Sequence, residues 1–145
     1  MIDRLQNDLK DSMRRGDALA TSTLRLLLSQ MQYAKIQAGR PLTEAETIAV
    51  LERAVKTRRE AIEQYERGGR PELAEKERAE IGVVERYLPP PLTPEETTAA
   101  VEALITELGA KDKKDLGRVM KEFQTRHRGR ADGKTVSALI ASRLS

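Results

Sequence analysis

Three consecutive prolines, Pro89, Pro90 and Pro91, lie between two helical patterns and forbid one continuous helix through them. Each lacks a backbone N–H, and each pushes the residue before it towards extended conformations. Thr93-Pro94-Glu95-Glu96 then restarts a helix, with Thr93 as N-cap, Pro94 at the first position and Glu96 completing a capping box. Residues 89–92 read as a stiff proline-rich joint between a helical N-terminal domain, 1–88, and a small tail domain, 93–145.

Before the joint, Ile2, Leu5, Leu9 and Met13 recur at helical spacing, and Gly16 with Asp17 ends one helix and caps the next. From Ala18 to Ala38, Leu24, Leu27, Leu28 and Met31 form an apolar face that Leu19 and Leu26 are expected to widen. The breadth of that face predicts the most buried helix of the first domain. Thr43-Glu44-Ala45-Glu46 is a second capping box and opens a helix to about Glu66, roughly 36 Å long at ~1.5 Å per residue. Ile48, Leu51, Val55, Ile62 and Tyr65 make a narrow seam in which Arg58 occupies the place between Val55 and Ile62. Gly68-Gly69-Arg70-Pro71 turns the chain, and Ala74, Ile81, Val84 and Leu88 supply the facing seam of a long antiparallel hairpin.

After the joint come three short apolar stripes: Val101, Leu104, Ile105 and Leu108; Leu116, Val119, Met120 and Phe123; and Val136, Leu139, Ile140 and Leu144. Asp112 and Asp132 cap the second and third. No β-branched, alternating run suggests a strand, so the predicted class is all-α, with a three-helix tail. Gly117 falls inside a predicted helix, where close packing against a neighbour is the expected reason for a missing side chain.

The chain has no cysteine and one histidine, which removes disulfides, thiolate metal sites and multi-histidine sites from consideration. No metal or cofactor is expected. No apolar run approaches the ~20 residues of a membrane span, and the first residues lack a signal-peptide core, so a soluble cytoplasmic protein is the expectation.

The net charge of +3 is unevenly placed. Residues 1–92 hold 16 Lys and Arg against 15 Asp and Glu, whereas residues 111–134 hold nine against four. That excess points to an anionic partner, most simply RNA. The candidate contact set is Lys111, Lys113, Lys114, Arg118, Lys121, Arg126, Arg128, Arg130 and Lys134. Backbone N–H groups at the start of the last helix could add a phosphate contact. Aromatic residues that could stack on bases are missing here, which favours phosphate and shape recognition of structured RNA over reading of single strands. The plain alternative is a solvated exterior. Lys56-Thr57-Arg58-Arg59-Glu60 reads as a charged flank of the hairpin. His127 reads as an exposed, partly charged member of the basic loop rather than a catalytic base, since no nucleophile or orienting carboxylate accompanies it. No phosphate-binding loop, dinucleotide motif or metal-ligand spacing is present, and no catalytic residue is assigned.

The residues Lys56–Glu60, Tyr65–Pro71 with Leu73-Ala74-Glu75-Lys76-Glu77, Tyr87-Leu88-Pro89, Leu92–Glu96, Gly117-Arg118-Val119-Met120 and Gly129–Val136 together resemble the GatB/YqeY family of bacterial proteins, in its stand-alone YqeY-like form. The resemblance covers essentially the whole chain. It departs at Pro90-Pro91, where members often carry a Glu-Gln-like pair. It implies an all-helical fold and a tail shared with the B subunit of the glutamine-dependent aminoacyl-tRNA amidotransferase, where that tail contacts tRNA. It also implies tRNA or other structured RNA as partner, and possible association with amidotransferase or aminoacyl-tRNA synthetase-type proteins. Carbon–nitrogen ligase activity with glutamine as amido donor is implied by the family, but this chain has no counterpart of the large catalytic region. The expectation is therefore an accessory RNA-binding protein that is not catalytic alone. The alternatives are a component of such a ligase and a protein-interaction scaffold built on the hairpin.

Overall fold

A computed structural model describes all residues, Met1–Ser145. The chain is entirely helical between its turns: α1 Ile2–Arg14, α2 Ala18–Ala38, α3 Glu44–Arg67, α4 Pro71–Glu85, α5 Pro94–Leu108, a short 3₁₀ turn at Lys113–Asp115, α6 Leu116–Arg126 and α7 Gly133–Arg143. It divides into two compact units, Met1–Leu88 and Pro89–Ser145.

The helix starts follow from local chemistry. Asp17 accepts from the Ala20 N–H, and both Thr43 and Thr93 form reciprocal capping boxes with the glutamate three residues on. Each box satisfies donors that a helix N-terminus otherwise leaves without partners. Glu46, held by Arg40 and by Thr43, has its pKa lowered to about 2. Gly109 closes α5 in the left-handed region at φ 62°, a conformation that costs a residue with a Cβ.

The first unit buries Leu5 of α1, Ala20, Leu24, Leu27 and Met31 of α2, Leu51, Ala54 and Val55 of α3, and Ile81, Val83 and Val84 of α4, with Tyr87 just beyond. The α1–α2 turn is tied by a 2.9 Å hydrogen bond between the hydroxyls of Ser12 and Thr21. The face of α2 differs from the sequence expectation. Thr23 is buried, while Leu26 is 49% exposed. Residues 20, 23, 27 and 31 stack at helical spacing, and Leu26 falls outside that arc. Met13 is likewise exposed at the end of α1.

Arg58 occupies its seam position as a buried residue, donating from one terminal nitrogen to the Ala54 carbonyl at 2.9 Å. The flank reading is therefore wrong for Arg58, although its neighbours Lys56, Thr57, Arg59 and Glu60 are exposed.

In the second unit Val101, Leu104, Val119, Phe123, Val136, Ile140 and Leu144 form one core from all three helices. The stretch read from sequence as a joint belongs to this unit. The Leu92 N–H donates to the Arg130 carbonyl at 2.8 Å, and the Arg130 side chain donates back to the Pro90 carbonyl at 2.8 Å. Gly117 is the second residue of α6, not mid-helix, and a Cβ there would meet nothing within 4 Å. The closer approach is at Gly133, where a Cβ would lie 3.5 Å from Gln124 and 3.8 Å from Met120.

Candidate nucleic-acid interface

The nine cations of residues 111–134 separate into two groups by what they touch. Arg118 donates to the Leu108 carbonyl at 3.0 Å and to Asp115 at 3.1 Å, fastening the end of α5 to the start of α6. Arg126 holds both oxygens of Glu107, at 2.7 and 2.8 Å, and Glu122 at 2.9 Å. That fork geometry is the arrangement guanidinium makes best. It lowers the Glu107 pKa and raises that of Arg126. Arg130 clasps Pro90, as above. Lys134 and its neighbour Asp132 also have partners.

Lys111, Lys113, Lys114 and Lys121 are exposed, Arg128 is half-buried, and the side chains of all five make no ion pair or hydrogen bond. Lys113 and Lys114 form the 3₁₀ turn, with Lys121 on the exposed side of α6.

The four acids of the same stretch do not neutralise these five. Asp112 accepts from the Lys114 backbone, and Asp115 from the Lys111 backbone and from Arg118. Those bonds hold the Asp115 pKa low. Glu122 is held by Arg126, and Asp132 accepts from the backbone and hydroxyl of Thr135. The last carboxylate caps the start of α7, so a phosphate reaching those N–H groups would meet a negative charge. The sequence reading of an anion site there is not supported.

His127 is not an exposed charged residue. It is half-buried, its ring centroid is 4.9 Å from that of Phe123, and its Nδ1 is buried without a partner. Burial first, then Arg130 and Arg126, lower its pKa, so the imidazole is neutral at pH 7. The i, i+4 spacing from Phe123 was the available sequence signal.

A polar cleft of about 230 Å³ lies in the first unit, lined by Arg4, Asp8, Asp11, Arg15, Leu24, Arg86 and Tyr87. Arg4, Asp8 and Tyr87 are engaged with one another. The Tyr87 hydroxyl donates to Asp8, Arg4 lies over the Tyr87 ring at 4.5 Å and donates to the Arg86 carbonyl. Burial and the Asp8 carboxylate push the Tyr87 phenol above its ordinary range, which leaves it a donor and not a base.

A family model described as "Yqey-like protein" matches residues 2–144. The chain belongs to that family. An uncharacterized protein of Schizosaccharomyces pombe is 34% identical over 85 residues, covering 59% of this chain and 69% of its own length. The protein named "Altered inheritance of mitochondria protein 41, mitochondrial" is 33% identical in Lachancea thermotolerans, over 74% of this chain and 59% of that protein. Its counterpart in Pyrenophora tritici-repentis is 28% identical over 97% of this chain and 78% of that protein. The chain thus spans somewhat over half of the Lachancea relative's length. The Lachancea and Pyrenophora relatives are named for mitochondria; in the present chain no helix is long and apolar enough to cross a membrane.

Proposed function

We propose that this YqeY-like chain is an accessory RNA-binding protein that contacts the phosphates of tRNA or another structured RNA through its tail and carries out no catalysis alone. The observation that carries the reading is the set of five cations without side-chain partners, Lys111, Lys113, Lys114, Lys121 and Arg128, in a stretch whose acids are all committed elsewhere. Arg118, Arg126 and Arg130 shape the surface on which the five stand. The contact set is therefore narrower than the nine cations of the sequence. Working alongside an amidotransferase or synthetase-type protein, in the cytoplasm, belongs to the same proposal.

The test is binding of a folded tRNA transcript across a salt series. Neutralised phosphates release counterions, so affinity should fall steeply and linearly on logarithmic axes. Absence of binding at ~50 mM salt would overturn the reading. Adding glutamine, ATP and misacylated tRNA to the same mixtures asks whether the chain makes amide; none is expected from it alone.

A further inference from the structure

The polar cleft of the first unit holds charge that the fold does not use. Arg4, Asp8 and Asp11 of α1 and Arg15 at its C-cap line one side. At 3.6 residues per turn the four share an arc of about 60°. Arg86 and Tyr87, just beyond α4, complete the wall. One end of the set is closed on itself: buried Tyr87 donates to Asp8, and Arg4 lies over the Tyr87 ring. The side chains of Asp11, Arg15 and Arg86 make no hydrogen bond or ion pair. Asp11 and Arg15 stand at the i, i+4 spacing that pairs opposite charges on a helix, yet they remain unpaired.

The charges also have an order. Arg4 donates to the Arg86 carbonyl, so those two residues mark one end. Arg15 marks the other, about 16 Å further along α1 at ~1.5 Å per residue. Asp8 and Asp11 lie between. The cleft therefore runs positive, negative, positive, with three guanidiniums against two carboxylates. Its volume of about 230 Å³ is below the ~300–1,000 Å³ of a drug-sized site, which suits a small metabolite.

We propose that this cleft binds a free acidic amino acid, a molecule with one ammonium between two carboxylates. The ammonium meets Asp11, one carboxylate meets Arg15 and the other meets Arg86. The ligand's single net negative charge matches the single net positive charge of the lining. An anion without an ammonium would lie beside Asp11 with nothing to offer it, and a cation would face three guanidiniums. RNA phosphates would meet the same two carboxylates. The lining has a single aliphatic side chain, so an apolar ligand finds little to cover it.

The test is titration of the isotope-labelled full chain with L-glutamate and L-aspartate, followed by amide NMR at fixed pH and ionic strength. At least one of the two should give saturable shifts in α1 and at Arg86 and Tyr87, with α5, α6 and α7 unmoved. Glutarate, which lacks the ammonium, and L-glutamine, which lacks the second carboxylate, should bind at least about fivefold more weakly. Arg15→Gln, Arg86→Gln and Asp11→Asn should each weaken binding at least about fivefold. Their melting temperatures should stay unchanged, because these side chains have no partner to lose. Absence of saturable shifts with either amino acid at ~20 mM, beyond the millimolar range of a weak site, overturns the proposal. So does equal binding of glutarate or L-glutamine, a response confined to the tail, or variants that bind as the native chain does.

Discussion

On the α3–α4 hairpin, charges answer charges. Arg78 reaches Glu66 on the opposite helix and Glu75 on its own, Arg70 holds Glu72, and Arg67 lies 3.8 Å from Glu63. In the tail the acids of residues 111–134 serve helix caps and the arginines Arg118 and Arg126, and Lys111, Lys113, Lys114 and Lys121 stand apart. Exposed pairs of the hairpin kind contribute little each, about 0–1 kcal/mol, but they leave the surface electrically quiet. The tail's arrangement gives a similar local order and leaves positive charge unspent. Two regions of one chain, both rich in charge, thus present opposite surfaces because residues 111–134 have fewer acids than bases and commit those acids to caps and arginines.

The largest break in this comparison comes from the tail's core. Phe123 is one of seven buried side chains in that core, against twelve in the first unit. Phe123→Ala should cost about 3–5 kcal/mol. A core of this size has little reserve. Hydrogen exchange should show α5, α6 and α7 losing protection while α3 and α4 keep theirs. Equal loss in both units would mean that the tail and hairpin unfold together, and the contrast between them would then be one of surface only.

Next in size is the charge reversal of Lys111, Lys113, Lys114 and Lys121 to Glu. Their side chains have no partner to lose, so the melting temperature should move by no more than the equivalent of ~0.5 kcal/mol. Affinity for a tRNA transcript should fall about 100-fold or more near 100 mM salt, with a shallower salt dependence. A stable variant that still binds would remove the lysines from the interface.

The helices and their starts were legible in the sequence because capping is local. Thr43, Thr93, Asp17 and Asp132 each act on a backbone N–H three residues ahead. The all-α class followed from periodicity. Periodicity gives the centre of a buried face and not its width, so the pattern places exposed Leu26 inward and does not mark buried Thr23. The division of the cations was less visible. Asp115 to Arg118 and Glu122 to Arg126 are at helical spacing and could have been paired by eye. Glu107 and Arg126 are 19 residues apart, and Pro90 and Arg130 are 40 apart. Those contacts exist only after α5, α6 and the loop before α7 have packed. A guanidinium and an ammonium count alike in a charge sum, yet the forks of Arg118, Arg126 and Arg130 hold the tail together while Lys111, Lys113, Lys114 and Lys121 face solvent.

Arg130→Ala sharpens that distinction with a smaller effect. It removes the bond to the Pro90 carbonyl while the Leu92-to-130 backbone bond persists, so the expected loss is about 1 kcal/mol. RNA affinity should change by less than about twofold at a salt where the lysine variant has lost binding. The His127 pKa, read by NMR, should rise, since Arg130 is one of the charges that depress it. A loss of affinity as large as that of the lysine variant would return Arg130 to the contact set.

The smallest effect concerns the one carboxyl of the hairpin that its surroundings hold in the opposite direction. Glu77 is half-buried and shares a hydrogen bond with Glu80; burial first and then Glu80 raise its pKa, against the pull of Arg58 and Lys76. Glu46, Glu72, Glu96, Glu107 and Asp115 are lowered. The lowered group contributes stability that is present above the ordinary carboxyl range and lost as pH falls, for Glu46 through about 2. Glu77 has the reverse sign: its protonated form suits the fold, so its contribution is complete below the ordinary value of 4.5 and is lost as pH rises through the raised one. Glu77→Gln fixes a neutral group in that place. It should raise the melting temperature at pH 7 by of order 1 °C and leave it nearly unchanged at pH 4. A lower melting temperature at pH 7 would show that the attraction between the Glu77 carboxylate and buried Arg58 outweighs burial, making the seam of the hairpin as tightly paired as its surface.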